Sequence, residues 1–273
     1  MGEFTEALRR AKGASGSAAA SEAVAFPRPE VPAPEEPAEP VAIPFVHEDG
    51  DVARAVLVTP SGEPAERYRH FSIKVRRALQ ERRTRTVVVT SAVSSEGKTT
   101  TACNLALALA STSGKRRVAL VDLDLRRPGA ARGLGVVPRV GLEEVLRGRA
   151  RLPDARLATQ LASLDLFLVR EPTREAHELL AQEALGQVFQ QLDSRYEVVV
   201  VDAPPVLFVP DVPLILAHGG ACVIVAQPGI TRRAAFQELL GLVPRERILG
   251  VFMNRSQQGS HRSSYGYYGY GEE

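Results

Sequence analysis

The residues with the clearest chemical content lie in one run, Thr90-Ser91-Ala92-Val93-Ser94-Ser95-Glu96-Gly97-Lys98-Thr99-Thr100. Its spacing is that of a P-loop, with Ala92 at the first glycine position and Gly97-Lys98-Thr99 at the end. Backbone N–H groups of such a loop, backed by the N-terminus of the next helix, cradle phosphate oxygens. Ser94, Ser95, Glu96, Gly97, Lys98, Thr99 and Thr100 are therefore the candidate phosphate-binding residues. Lys98 is expected to reach the β- and γ-phosphates, and Thr99 to offer its hydroxyl to Mg²⁺. Two apolar runs then end in acids: 118–122 leads through Asp122 to Asp124, and 198–202 closes on Asp202. Mg²⁺ takes one or two carboxylates together with phosphate oxygens and water, so this supply of acids suits ATP and Mg²⁺.

These residues need a scaffold that brings strand ends together, and the hydrophobic pattern provides one. Short β-branched runs at 86–91, 117–122, 164–169, 197–202, 221–226 and 248–254 read as strands. Between and before them, helical patterns fall at 64–82, 98–110, 141–147, 173–192, 211–217 and 231–242. Such alternation predicts an α/β fold: a P-loop NTPase-like, mostly parallel sheet with helices on both faces. In open sheets of this kind ligands bind at the carboxyl ends of the strands, where all three acids stand.

The rest of the 273 residues divides into two tails around a core of about 200 residues. Residues 13–44 are rich in Ala, Ser, Pro and Glu, with seven prolines between Pro27 and Pro44. That composition cannot bury a core, so 1–60 is expected to be a disordered tether with a short helix at 5–12. Residues 61–255 form the expected domain, and 256–273 a flexible Tyr/Gly-rich tail. No apolar run nears the roughly 18 residues of a bilayer span, and no secretory signal opens the chain. Cys103 and Cys222 both sit in apolar runs, and the five histidines show no ligand spacing. The chain reads as cytoplasmic. Residues 1–50 carry a net −5 and the remainder +7, a balance that suits phosphate ligands or an acidic partner and is too weak to argue for nucleic acid, so no nucleic-acid partner is expected.

The P-loop, Leu-Val-Asp-Leu-Asp-Leu-Arg-Arg-Pro at 120–128 and Val-Val-Asp-Ala-Pro-Pro at 200–205 together resemble the bacterial tyrosine kinases of the CpsD/CapB type. The resemblance runs from about 63 to 255. Gly141-Leu-Glu-Glu-Val-Leu-Arg-Gly148, Thr231-Arg-Arg233 and Gly250-Val-Phe-Met-Asn254 extend it. It implies an ATP-dependent enzyme that phosphorylates its own C-terminal tyrosines and regulates capsule or exopolysaccharide synthesis. By the same resemblance Asp122 acts on the tyrosine hydroxyl or the metal, Asp124 and Asp202 serve Mg²⁺, and Asn254 and Arg255 lie near the nucleotide base. Tyr265, Tyr267, Tyr268 and Tyr270, four of the chain's six tyrosines, are the candidate acceptors. A membrane adaptor supplying an activating cytoplasmic segment, a homo-oligomer and a tyrosine phosphatase are the implied partners, with recruitment to the inner face of the membrane.

Two departures stand out. Ser94 and Ser95 replace the Pro-Gly common in the family's loop, so Ser95 must adopt a backbone shape that glycine would supply. The family's Glu-Glu-x-x-Arg-x-x-Arg helix, linked to rings, keeps only Glu66 and Arg69, with Ala65 and Ser72 in the other places. Two alternatives compete: an ATPase of the MinD/ParA type, and a non-catalytic nucleotide-sensing regulator of polysaccharide machinery. The first expects a lysine where Val93 stands. The second uses the same loop for binding alone.

Overall fold

Along β1 (Thr86–Ser91), Val88 points into one apolar layer while Val87 and Val89 point into another. That period of two, repeated through every central strand, puts a core on each face of one sheet. The structure, a computed structural model, describes residues 63–112 and 117–255. The expected tether 1–60 with its helix at 5–12, and the tail 256–273 with its tyrosines, lie outside the described residues.

In chain order, α1 (Glu63–Glu81), β1 and α2 (Lys98–Thr112) precede β2 (Val118–Asp122), α3 (Ala130–Leu134) and α4 (Leu142–Leu146). Next come β3 (Arg156–Ala158), β4 (Leu164–Phe167), α5 (Ala176–Leu180) and α6 (Glu183–Arg195). β5 (Val198–Asp202), α7 (Asp211–Ala217), β6 (Ala221–Ala226), α8 (Arg233–Leu242) and β7 (Ile248–Met253) complete the described chain. The seven strands form one sheet in the order β3-β4-β2-β5-β1-β6-β7. All neighbours are parallel except the β3–β4 pair at one edge. The expected fold class is the observed one.

Helix α2 explains why its sequence is apolar on nearly every face. It is buried from Thr101 to Ala110 because it lies between the sheet and α1. A helix covered on two sides has no polar stripe to show. α1 contributes Val75 and Leu79 to the same layer, whereas α4, α5, α6 and α7 pack on the opposite face.

Three local readings differ from the structure. The single helical stretch expected at 173–192 is two helices, α5 and α6, broken by an extended Gln182. The cause is visible in the spacing: the buried apolar step from Leu180 to Leu185 is longer than a helix period allows. The helix expected from 231 begins at Arg233, because Thr231 turns its hydroxyl to other partners described below. β3 and α3 are too short to give a periodic signal. β3 is held by tertiary contacts, with Arg156 paired to the buried Asp165 of β4 at 3.0 Å.

Candidate active site

The strand register decides which acids meet. Asp122 at the end of β2 pairs with Asp202 at the end of β5, and Asp202 pairs with Val89 of β1. The P-loop leaves β1 just above that line, so its lysine comes down onto the acids. Lys98 Nζ lies 2.8 Å from Asp124 Oδ2 and 3.5 Å from Asp202 Oδ1. It also donates to Thr99 Oγ1 at 3.2 Å. Burial by itself would lower the Lys98 ammonium, but Asp202 and Asp124 outweigh it and hold it well above the ordinary lysine value. Burial raises Asp202, against the pull of Lys98.

Asp122 is held differently from the other two acids. Its carboxylate is fully buried, and Oδ1 accepts the Asp124 N–H at 3.1 Å. Oδ2 accepts the N–H groups of Gly129 and Ala130 at 3.2 and 3.1 Å, at the start of α3. Asp122 thus holds the loop that carries Asp124, and Asp124 is the acid that reaches the cleft. Burial pushes the Asp122 carboxyl up to about 8, and the neighbouring Asp202 charge adds to the push.

The P-loop is shaped by two residues in left-handed backbone, Ser95 at φ 68° and Gly97 at φ 89°. Gly97 has a second reason to be glycine, because a Cβ there would run into the Asn254 side chain. Asn254 donates Nδ2–H to the Glu96 carbonyl at 3.0 Å, while its own N–H bonds Ala226 at 2.8 Å. It therefore ties the P-loop to the end of β7. The Glu96 side chain is buried and faces away from the cleft, accepting from the Val93 N–H at 2.8 Å and from the Thr231 hydroxyl. Thr231 in turn accepts the Gln227 N–H at 2.8 Å, which staples the loop after β6 to the P-loop.

Above this floor lies a cleft of about 820 Å³ whose wall carries Lys98, Arg126, Arg127, Arg132 and Arg255. Ser94, Ser95, Thr99 and Thr100 also face it, and Phe208, 61% exposed, stands on its rim beside Pro204 and Pro205. The sequence reading missed Arg132 and Phe208, which belong to a loop and a short helix without a periodic signal. Arg126 and Arg127 were present in the quoted 120–128 run, without a role. Arg126 is fixed at the cleft by the Arg174 carbonyl, 3.1 Å away, and by the buried Asp211 at 3.6 Å.

The fit of this site to a metal-bound phosphate rests on one atom. Asp202 Oδ2 is buried and has no hydrogen-bond partner in a site where its other oxygen is satisfied. A buried carboxylate oxygen without a partner is costly, and a cation would satisfy it. Among the described residues no group of three or more His, Cys, Asp or Glu side chains could hold a metal by itself. Such a sparse donor set suits Mg²⁺, which keeps water and phosphate oxygens among its ligands.

Comparisons with known proteins agree with the geometry. Residues 87–265 match the CobQ/CobB/MinD/ParA nucleotide binding domain family. The chain is 30% identical over 216 residues to the tyrosine-protein kinase YwqD of Bacillus subtilis (strain 168), covering 78% of this chain and 90% of that protein. It is 30% identical over 212 residues to the succinoglycan biosynthesis transport protein ExoP of Rhizobium meliloti (strain 1021). That match covers 75% of this chain but only 26% of ExoP, so the chain corresponds to about a quarter of that relative. The kinase domain of the Escherichia coli tyrosine kinase ETK superposes with a TM-score of 0.66 at 25% identity, over 76% of this chain and 82% of that one. Fold, P-loop and relatives converge: the chain belongs to the CobQ/CobB/MinD/ParA nucleotide-binding family and, within it, to the bacterial tyrosine kinases.

Proposed function

We propose that this kinase transfers the γ-phosphoryl group of ATP to Tyr265, Tyr267, Tyr268 and Tyr270, and that it thereby regulates exopolysaccharide or capsule synthesis and export. The observation that carries the reading is Lys98 Nζ held between Asp124 and Asp202 beneath an arginine-lined cleft. A lysine so placed can exchange its carboxylate partners for phosphate oxygens with little movement. Asp202, Asp124 and the Thr99 hydroxyl are the residues that would hold Mg²⁺. The ion would supply charge neutralisation on the phosphate oxygens. The P-loop N–H groups from Ser94 to Thr100 orient the polyphosphate, and the arginines screen its charge. Arg255 lines the cleft, and Asn254, beside it at the end of β7, would act on the nucleotide through the P-loop carbonyl it holds. Asp122 would act on the reaction through the loop it holds, positioning Asp124, and Phe208 offers an aromatic face on the rim.

Supply of the acceptor follows from the tail. From Asn254 to Tyr265 there are 11 residues, a span of up to roughly 36 Å when extended. The tail can reach its own cleft or a neighbour's, and the family resemblance favours a neighbour in a homo-oligomer. Each phosphotyrosine adds roughly −1.5 to −2 charge, so a filled cluster repels itself and the site's acids. Release of the tail and of the neighbouring chain would follow, and a phosphatase would reset it. ExoP is a longer transport protein in which the matching region is one part. A separate membrane adaptor is the counterpart proposed here, holding the kinase at the inner face of the membrane.

A mixing experiment tests the reading. Lys98→Arg protein with an intact tail, which keeps a positive charge between the acids, is combined with active protein whose four tail tyrosines are phenylalanine. Phosphotyrosine is expected on the Lys98→Arg chain, with smaller assemblies afterwards. No transfer in that mixture, with wild type active at the same concentration, means the reaction is intramolecular. No phosphotyrosine in wild type supplied with ATP, Mg²⁺ and adaptor peptide overturns the proposal.

A further inference from the structure

Among the described strands that run parallel to their neighbours, β7 alone is not buried. β1, β2, β4, β5 and β6 are buried at every residue, whereas Val251 and Met253 of β7 are 45% and 50% exposed. The Asn254 N–H bonds Ala226 of β6, so by alternation the N–H and C=O groups of Val251 and Met253 face the outer edge. Among the described residues no strand pairs with that edge. A groove of about 780 Å³ runs along it between β7 and α1, walled by Phe71, Val75, Leu249 and Val251. An apolar edge of this length, without a lysine, a proline or a cover, invites a further strand.

The direction of α1 says which segment can supply that strand. Tyr68 and Phe71 stack on Phe252 with ring centroids 5.3 and 4.6 Å away. At the other end Arg82, just past α1, donates to the Ile248 carbonyl at 3.1 Å. α1 therefore runs antiparallel to β7, and its first residue, Glu63, lies at the carboxyl end of the sheet. The chain entering α1 arrives at that end. Immediately before it stands Ala55-Val56-Leu57-Val58-Thr59, a β-branched run closed by Pro60-Ser61-Gly62. Three residues are an ordinary strand-to-helix connection.

We propose that Ala55–Thr59 docks on the outer edge of β7 as an eighth, parallel strand. The chirality of the sheet supports this. The β1–α2–β2 crossover moves toward β4 over the α1/α2 face, while β5–α7–β6 and β6–α8–β7 move the other way over the opposite face. A strand outside β7 that continues through α1 to β1 moves toward β4 over the α1/α2 face. It has the same hand as every crossover already in the sheet, which is the hand parallel connections require. The tether would then end near residue 54, not at 60. The groove also takes in Thr100 and Arg255, which line the nucleotide cleft, so displacing this strand would disturb that cleft.

Hydrogen exchange on the full chain tests it, with wild type compared to a Val56→Pro/Val58→Pro variant. In wild type the amides of Val56, Leu57 and Val58 as a group, and of Val251 and Met253, are expected to exchange at least about tenfold more slowly than those of residues 14–26. In the variant, Val251 and Met253 should lose that protection while the Asn254 amide, bonded to β6, keeps its own. Free exchange of 55–59 in wild type overturns the proposal. So does protection of Val251 and Met253 that survives the prolines, that grows with protein concentration, as a second copy on the edge would cause, or that appears only with an added adaptor peptide.

Discussion

The Asn254 side-chain amide fills the space beside Gly97 that any Cβ would need, and from there it holds the Glu96 carbonyl. One residue at the end of the last strand thereby sets the shape of a loop more than 150 positions earlier. Gly97→Ala is expected to abolish nucleotide binding, since it also forces φ 89° on a residue with a side chain. Asn254→Ala should be milder, a weakening of nucleotide affinity by roughly fivefold from the loss of about 1 kcal/mol of loop hydrogen bonding. Calorimetric titration with a non-hydrolysable ATP analogue reads both. Equal affinity of Gly97→Ala and wild type would refute the packing argument.

Ser95 bears out the expectation that this position takes a glycine-like backbone, with φ 68° and an exposed side chain. Ser95→Gly should relieve a left-handed conformation without deleting a contact. Thermal unfolding is expected to show stabilisation of about 1 kcal/mol. A lower midpoint would mean that the serine makes a compensating interaction.

Lys98, expected from its motif to reach the β- and γ-phosphates, is buried between two carboxylates. Lys98→Met leaves those charges unpaired. Beyond the loss of activity, the variant should be destabilised by roughly 3 kcal/mol at pH 7, and by less at pH 5, because burial raises the Asp202 carboxyl and favours its proton. Denaturant titration at both pH values checks this. Equal loss at the two would count against the ion cluster.

The raised Asp122 carboxyl has a signed consequence. The folded chain binds that proton more tightly than the unfolded chain, so this contribution falls as pH rises from about 4 toward about 8. Asp122→Asn removes the titration but leaves one amide N–H facing a backbone N–H, at a cost of about 1–3 kcal/mol. Its nucleotide-free stability should therefore be lower than that of wild type at pH 6, with a flatter slope between pH 6 and 8. A slope identical to wild type would show that another group titrates.

The ring-forming helix motif is incomplete for a reason that lies in the packing. Glu66 and Arg69 pair on the outer side of α1, whereas Ala65 and Ser72 are each 1% exposed and face inward. Ser72→Arg would push a guanidinium into the α1–α2–β7 layer. That variant should lose stability without gaining a larger assembly, as sedimentation and thermal unfolding can show.

The sequence alone determined six of the seven strands, the P-loop and the position of each acid at a strand end, because those depend on local periodicity and short-range spacing. It could also place Ser95 in left-handed backbone, because the family resemblance puts a glycine at that position. What the acids do was decided only by the tertiary structure. Asp122 and Asp124 are two residues apart on the same strand end, yet one binds backbone N–H groups at α3 and the other binds Lys98. No spacing distinguishes them. The difference comes from α3, which turns its N-terminus toward Asp122, and from the β2–β5 register, which puts Asp202 opposite it. The inward turn of Glu96 toward Thr231 and the reach of Asn254 to Gly97 are of the same kind. Each joins residues more than 100 positions apart, and such contacts exist only once the sheet order has been set.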